Sequence, residues 1–364
     1  MRPDEPISNR GGGEEEKMET CMINLRKIMV LLVLGCFLGG LTLAPSAPAL
    51  AQTPAQPQVA AEKPAEGQKP PEEKKETAPT TAGCIMTDST IPIDTGHVSL
   101  SVMSGLSVYP GAFNQNWRTI SIHGNYYTYF MPVKLTYGVA KDMEVYIVAP
   151  FVNYWVNHAD QSISVNGKTS ASYAGIGDLT LMGKYLLCPE GEVMPAVSAV
   201  AGFGSIPTGH ASHLNPRFMG VDAIGTGALT LSTGVNLYKW VKPFLLYSNI
   251  WINSPINLYK MTASASPEPV RSRENIAFNL AAEYPLSSKF VLLLEMYSTW
   301  TWSNLLPFQA TQGYQTPQTL LGLMPGIEFL ATDKLSLEAG ASLDIIGKNG
   351  VKKYTPMLMA TYAF

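Results

Sequence analysis

Two serine–histidine pairs stand close enough in the chain to suggest a nucleophile beside a general base: Ser205 with His210, and Ser172 with His158. Neither serine lies in a G-x-S-x-G elbow, the turn that exposes and activates such a hydroxyl. No catalytic residue is therefore assigned, and the chain is read as a non-enzyme. His210-Ala211-Ser212-His213 has ligand-like spacing only if its loop forms a helical turn. No third ligand follows at a convincing distance, so no metal site is assigned. Gly175-Ile176-Gly177-Asp178 is the first half of a phosphate-cradling glycine loop. The second half and the following helix are missing, and no cofactor is expected.

The scattered charges are more informative. Lys134, Glu144, Asp178, Lys184, Asp222, Glu283, Glu295, Glu328, Glu338 and Asp344 each fall, by parity, opposite the aliphatic positions of an alternating segment. On the lipid face of a barrel an ionised group costs up to about 2–4 kcal/mol for a basic residue at midplane, and less for an acidic one. The lumen is thus their expected place. A carboxylate-rich lumen would favour cations or polar solutes. The same groups could instead close a narrow barrel by hydrogen-bonded plugging, and the two readings stand side by side.

These residues are positioned by strands. Val98, Leu100, Val102, Leu106 and Val108 share one face and Ser99, Ser101, Gly105 and Ser107 the other, the period-two signature of a half-buried strand. Similar segments recur to the C-terminus. Short turns at 140–142, 188–193, 237–241, 285–289 and 331–334 alternate mostly with longer polar loops at 110–117, 157–174, 207–220, 254–273 and 303–318, with a short one at 347–350. This is the layout of an outer-membrane barrel with periplasmic turns and outward loops. Most segments exceed the roughly 9–11 residues that a tilted strand needs to cross a membrane. The expected fold is all-β, a single antiparallel transmembrane β-barrel of about 12 strands with a disordered N-terminal tether. Tyr109, Trp117, Trp155, Trp240, Trp251, Trp300 and Trp302 near strand ends suit interfacial girdles.

Charged residues make up 15% of the chain and the net charge is -3. The charge gives no basic stripe for nucleic acid, and the mature chain has no apolar run long enough for a spanning helix. Arg26-Lys27, the apolar run from Ile28 to Leu43 and Ala49-Leu50-Ala51 read as an export signal. The expected organisation is a leader and signal peptide over 1–51, a Pro/Ala/Glu/Lys-rich periplasmic linker over 52–90, and the barrel over 91–364. Both termini are expected in the periplasm. Cys84 and Cys188 remain after processing, in an oxidising compartment and on one side of this topology, so they could pair or stay as free thiols.

The chain ends in Tyr362-Ala363-Phe364, which resembles the closing strand of bacterial outer-membrane barrels. In that family, such an ending is recognised by the assembly machinery. Gly175-Ile176-Gly177-Asp178-Leu179-Thr180-Leu181-Met182-Gly183-Lys184-Tyr185 resembles a signature of the meta-pathway phenol-degradation family of outer-membrane proteins. Phe203 to Gly209, Gly225-Thr226-Gly227 and Tyr137 to Asp142 add to the resemblance, which covers about residues 90–364. It implies an outer-membrane barrel, often described as a transporter, and supplies no agreed catalytic residues. The expected function is passive uptake of small, aromatic or hydrophobic compounds, with Phe113, Trp117, Phe218, Tyr259 and Phe308 as loop contacts. Expected partners are outer-membrane lipid, the barrel-assembly machinery and the solute. The competing readings are a plugged, non-conducting anchor or scaffold and an outer-membrane hydrolase.

Overall fold

The computed structural model describes residues 79, 81–159, 161, 164, 166–191, 194–258, 272–301 and 317–364. The leader, the signal peptide and the linker up to residue 78 lie outside the described residues, as do Tyr259, Trp302 and Phe308.

The strands are β1 Val98–Phe113, β2 Thr119–Ile120, β3 Asn125–Ala140, β4 Met143–Asn157, β5 Ala171–Ile176, β6 Leu179–Cys188 and β7 Ala196–Ile206, followed by β8 Ala228–Val241, β9 Phe244–Asn257, β10 Asn275–Pro285, β11 Phe290–Thr301, β12 Gln318–Thr332, β13 Leu335–Lys348 and β14 Gly350–Ala363. All neighbours pair antiparallel, and β14 returns to pair with β1 from Ser99↔Ala363 to Phe113↔Gly350. β2 is a two-residue appendage of β1. β5 and β6 both pair with β4 and together make one stave, so the closed barrel has 12 staves. Closure removes every sheet edge, which is what lets strands rest in lipid without orphaned backbone groups.

Alternation along each strand gives the wall two chemistries. In β11, Leu292 and Leu294 are exposed on the outer face while Val291, Leu293 and Glu295 are buried towards the lumen. Leu246, Ile250 and Ile252 of β9 and Leu358 of β14 continue the apolar exterior. Every ionisable residue that parity assigned to β10, β11, β12 and β13 is buried instead.

Three sequence expectations need correction. The turn expected at 237–241 lies inside β8, and the chain reverses at Lys242-Pro243 because Tyr238 and Trp240 continue the alternation. The aromatic girdle is also thinner than expected. Trp155 stacks outward on Tyr127, Trp300 is exposed outside and Trp117 is exposed in a turn. Tyr109 and Trp251 instead turn inward, donating to or accepting from lumen groups: Tyr109 at 2.9 Å from Thr128, and Trp251 Nε1 donating to Asn236 at 3.1 Å. Trp240 packs beside the buried Tyr238 and Tyr247. Finally, the linker expected over 52–90 overlaps a stretch that is bound to the barrel, because residues 82–93 bond to groups on its inner wall.

A glycine explains how one inner ring lies flat. Tyr297 of β11 pairs with Gly322 of β12, which pairs in turn with Asp344 of β13. The ring crosses Gly322 so that its hydroxyl donates to Asp344 Oδ1 at 2.7 Å. A Cβ at position 322 would run into ring atoms of Tyr297. Gly322→Val is expected to displace the ring, break that hydrogen bond and cost about 1–3 kcal/mol, as overpacking does. Urea unfolding in detergent micelles checks this; an unchanged midpoint would mean that the ring has another berth.

Candidate functional site: the filled lumen

The residues that sequence parity sent inward do not face open water. Lys134, Glu144, Lys184, Glu283, Glu295 and Glu328 grip the chain's own segment 81–96, which has neither a strand nor a helix periodicity and so forms no ladder. The segment satisfies its backbone donors on wall carboxylates instead, as a buried backbone must.

Glu295 of β11 is the main grip. Its carboxylate accepts the N–H groups of Ile85 at 2.9 Å, Met86 at 3.1 and 3.2 Å, and Thr87 at 2.7 Å. Three successive N–H groups converging on one acceptor form a small anion-binding concavity, which suits a carboxylate. Glu328 of β12 takes Ala82 N at 2.8 Å and Glu144 of β4 takes Ile93 N at 2.8 Å. Asn249 of β9 holds Asp88 from both sides, accepting its N–H at 2.7 Å and donating to its carbonyl at 3.0 Å.

Charge fixes the segment at Asp88. Lys184 of β6 has a fully buried side chain and reaches Glu144 at 2.8 Å and Asp88 at 3.1 Å. Glu144 and Lys184 are direct cross-strand partners, a register that parity alone does not reveal. Lys134 of β3 meets the other Asp88 oxygen at 3.2 Å and lies over the Tyr146 ring, 4.2 Å from its centroid. Asn236 of β8 donates to Asp88 at 2.9 Å. Two lysines thus face two carboxylates, so the cluster is neutral. That balance is needed because an unpaired buried charge costs several kcal/mol. Burial works to raise the Asp88 carboxyl, but the attraction of Lys134 and Lys184 outweighs it and holds the group down at about 2.

Across the lumen the carboxylates have no lysine partner among the described residues. Glu328 and Glu338 lie directly opposite one another on β12 and β13, a like-charge pairing that destabilises a sheet when ionised. Both Glu338 carboxylate oxygens and Glu328 Oε2 are buried without a hydrogen-bond partner. Glu283 of β10 accepts from Tyr247 at 3.2 Å and from the Cys84 thiol at 3.5 Å. Ile85 supplies the apolar anchor, packed with Val291, Leu293, Tyr297, Met324 and Met357. Burying one such side chain contributes about 1.5–3 kcal/mol.

Of the two readings open for Cys84 and Cys188, this structure has the free thiols. Cys84 is a buried free thiol in the lumen, while Cys188 is a free and exposed thiol at the end of β6. Being near one mouth of the barrel is not enough, since one thiol points into the lumen segment's packing and the other to the outside. Burial pushes the Cys84 thiol well above its usual range, with Glu295 and Glu283 adding to the effect.

Three of the expected lumen residues have other work. Asp178 is half-buried at the break between β5 and β6, where it ties down the β7–β8 loop. It accepts from Gly209 N at 3.0 Å, Thr226 N at 2.7 Å and the hydroxyls of Thr226 and Ser205 at 2.6 and 2.9 Å. Asp222 precedes β8 and so is not on a strand. It is buried inside that loop, accepting Asn215 N at 2.7 Å, with His210 4.0 Å away. Asp344 does line the wall, but it binds Tyr297 and Lys353 N rather than the lumen segment. Ser205 therefore donates to Asp178 and not to a histidine. Among the described residues no group of His, Cys, Asp and Glu could hold a metal ion.

Parity found Lys134, Glu144, Lys184, Glu283, Glu295, Glu328 and Glu338, but missed Asn236, Asn249, Tyr247 and Asp88. Inward uncharged polar residues look like any other polar residue of an alternating strand. A signal for the segment existed, however. The Glu/Lys-rich composition stops at Glu76, and Ile85, Met86, Ile91 and Ile93 follow before the first strand.

The loop end has a second feature. An apolar cleft of about 330 Å³ is lined by Tyr109, Tyr126, Tyr154, Trp155, Val221 and Val351 with their neighbours. Of the expected loop contacts, Phe113 is buried against Gly347, Trp117 is exposed and Phe218 sits edge-on to Tyr173.

No family model matches the chain, and no curated protein matches it. Among solved structures it is similar to an outer membrane channel from Pseudomonas putida F1, with a TM-score of 0.58 and 15% identity over 76% of this chain and 98% of that one. The translocator domain of the autotransporter NalP from Neisseria meningitidis gives a TM-score of 0.41 at 12% identity, over 75% of this chain and 90% of that one. The CymD monoaromatic hydrocarbon channel gives 0.37 at 12% identity, over 75% and 89%. The first likeness shows the fold: a single closed outer-membrane-type β-barrel.

Proposed function

We propose that the chain is an outer-membrane channel that takes up small apolar or aromatic compounds passively, first holding them at the loop end. The observation carrying this reading is the aromatic cleft of about 330 Å³, which is near the lower bound for pockets that hold small ligands. Tyr and Trp rings bind flat apolar solutes over a large area at little entropic cost. The position of the cleft favours uptake, because Tyr126 and Trp155 stand at the loop ends of β3 and β4, and Val221 belongs to the long loop before β8. The apolar outer wall suits lipid, and short turns on the periplasmic side would put both termini there. The resemblance to the phenol-degradation family supports an aromatic solute, and the aromatic pair Tyr362 and Phe364 closing β14 supports insertion by the barrel-assembly machinery.

The test is conductance of the purified chain in planar bilayers, with uptake of phenol and benzoate by a deletion strain carrying the native gene or Tyr154→Ala. Native uptake above background, reduced severalfold by Tyr154→Ala at unchanged heat-modifiable gel mobility, is expected. Uptake equal in the deletion and complemented strains, with no conductance, would favour the scaffold reading in its place.

A further inference from the structure

The geometry points to residues 81–96 as a releasable stopper: docked, they close the short-turn mouth of the barrel, and withdrawn they leave a wall that remains folded. The inference rests on the channel reading and concerns its regulation.

Four observations carry it. First, both limbs of the segment leave through the same mouth. Thr81 lies 3.4 Å from the Tyr247 hydroxyl, four residues into β9, and Gly96 N donates to Gly138 O at 2.8 Å near the end of β3. Between them Ile85 reaches Met324, near the middle of β12. The segment is thus a U inserted from one side, and withdrawal threads no chain through the barrel. Second, the barrel is closed by β14 and β1 without any strand from the segment, so its ladder is intact whether or not the segment is seated.

Third, the wall cations keep partners of their own when the segment goes. Lys184 retains Glu144 at 2.8 Å and Lys134 retains the Tyr146 ring at 4.2 Å. Asn236 likewise keeps its contact from Trp251 Nε1. Release carries the Asp88 charge away, but it leaves Lys184 paired with Glu144 and the part-exposed Lys134 over the Tyr146 ring, so no buried cation is left without a partner. Fourth, apart from Asp88, the segment is gripped mainly through the main-chain N–H groups of residues 82, 85, 86, 87, 88 and 93. Water replaces such contacts on release. Asp88 and Ile85 are then the two side chains that set how long the stopper stays seated.

The protein carries its own reporter. Cys84 is in the segment and buried, and Cys188 is exposed on the wall. In the full chain reconstituted in vesicles, N-ethylmaleimide should label Cys188 at once and Cys84 slowly. Asp88→Asn, and separately Ile85→Ala, should speed Cys84 labelling by about tenfold or more, as expected when a local opening is made easier, with Cys188 unchanged and the barrel still heat-modifiable. Cys84 labelling no faster in either variant, or faster only where heat modifiability is lost, overturns the stopper. Conductance separates the two readings. Faster labelling with a rise in conductance supports both. Faster labelling with no conductance in either variant, or in a chain lacking residues 81–93, supports a releasable segment and sinks the channel instead.

Discussion

Lys184→Met is expected to lower the unfolding free energy of the barrel by about 3–5 kcal/mol, the cost of removing one partner from a buried ion pair. The reason lies in what remains. Asp88 keeps Lys134 at 3.2 Å and the Asn236 amide at 2.9 Å, so its charge is still answered. Among the described residues Glu144 keeps only the Ile93 N–H at 2.8 Å, in a side chain that is 3% exposed. A carboxylate in that position must either stay ionised without a counter-charge or take up a proton. Glu144→Gln added to Lys184→Met should therefore recover a large part of the loss, because a neutral amide can still accept from Ile93. Urea titration of the four proteins of this cycle, refolded in the same detergent, measures the coupling directly. A loss for Lys184→Met below about 1 kcal/mol, the level of exposed pairs, would mean that water reaches the cluster and that the lumen is not closed there.

The contrast with the opposite wall is informative. Among the described residues Glu283, Glu295, Glu328 and Glu338 face no lysine, yet three of them accept hydrogen bonds from the segment or from Tyr247. The wall is therefore built in two halves. One is neutralised internally by the pairing of β4 with β6, and the other is supplied with donors by a stretch of chain that precedes the first strand. Removing the segment would cost the second half its donors and the first half Asp88 and the Ile93 N–H, while the Glu144–Lys184 pair stays in the wall.

Much of this was legible in the sequence. Period-two alternation gives the strands and, through them, the inward placement of Lys134, Glu144, Lys184, Glu283, Glu295, Glu328 and Glu338. It works because lipid on one side and a closed lumen on the other impose opposite solvents on successive residues. Asp222 escaped because parity has meaning only on a strand, and β8 begins at Ala228. The Glu144–Lys184 pair escaped because register depends on loop geometry, which alternation does not encode. Residues 81–96 escaped for a deeper reason. Their conformation is set by acceptors more than 150 residues away for every contact with Asn249, Glu295 and Glu328, and no local period records that. Cys84 and Cys188 share an end of the barrel but not a side of its wall, a distinction that compartment arguments cannot draw.

Phe364→Ala is expected to slow insertion of the barrel far more than Tyr354→Ala. Both side chains belong to the apolar exterior of the closing region, with Phe364 57% and Tyr354 37% exposed. If burial in lipid were the whole story, the two substitutions would cost comparable amounts, each within about 1.5–3 kcal/mol. Position distinguishes them. Tyr354 pairs with Val108 in the middle of an extended β1–β14 ladder, where its backbone bonds survive truncation of the ring. Phe364 directly follows β14, its N–H donating to Val98 O at 2.9 Å and its ring edge-on to Tyr362 with centroids 4.9 Å apart. Tyr362 and Phe364 thus present a paired aromatic end where β14 meets the start of β1, the place from which the seam between first and last strands can begin to form. Pulse-chase measurement of protease-protected barrel in cells resolves the matter. A severe delay confined to Phe364→Ala assigns the terminal pair to assembly; equal rates for the two variants would reduce Phe364 to one more lipid-facing ring.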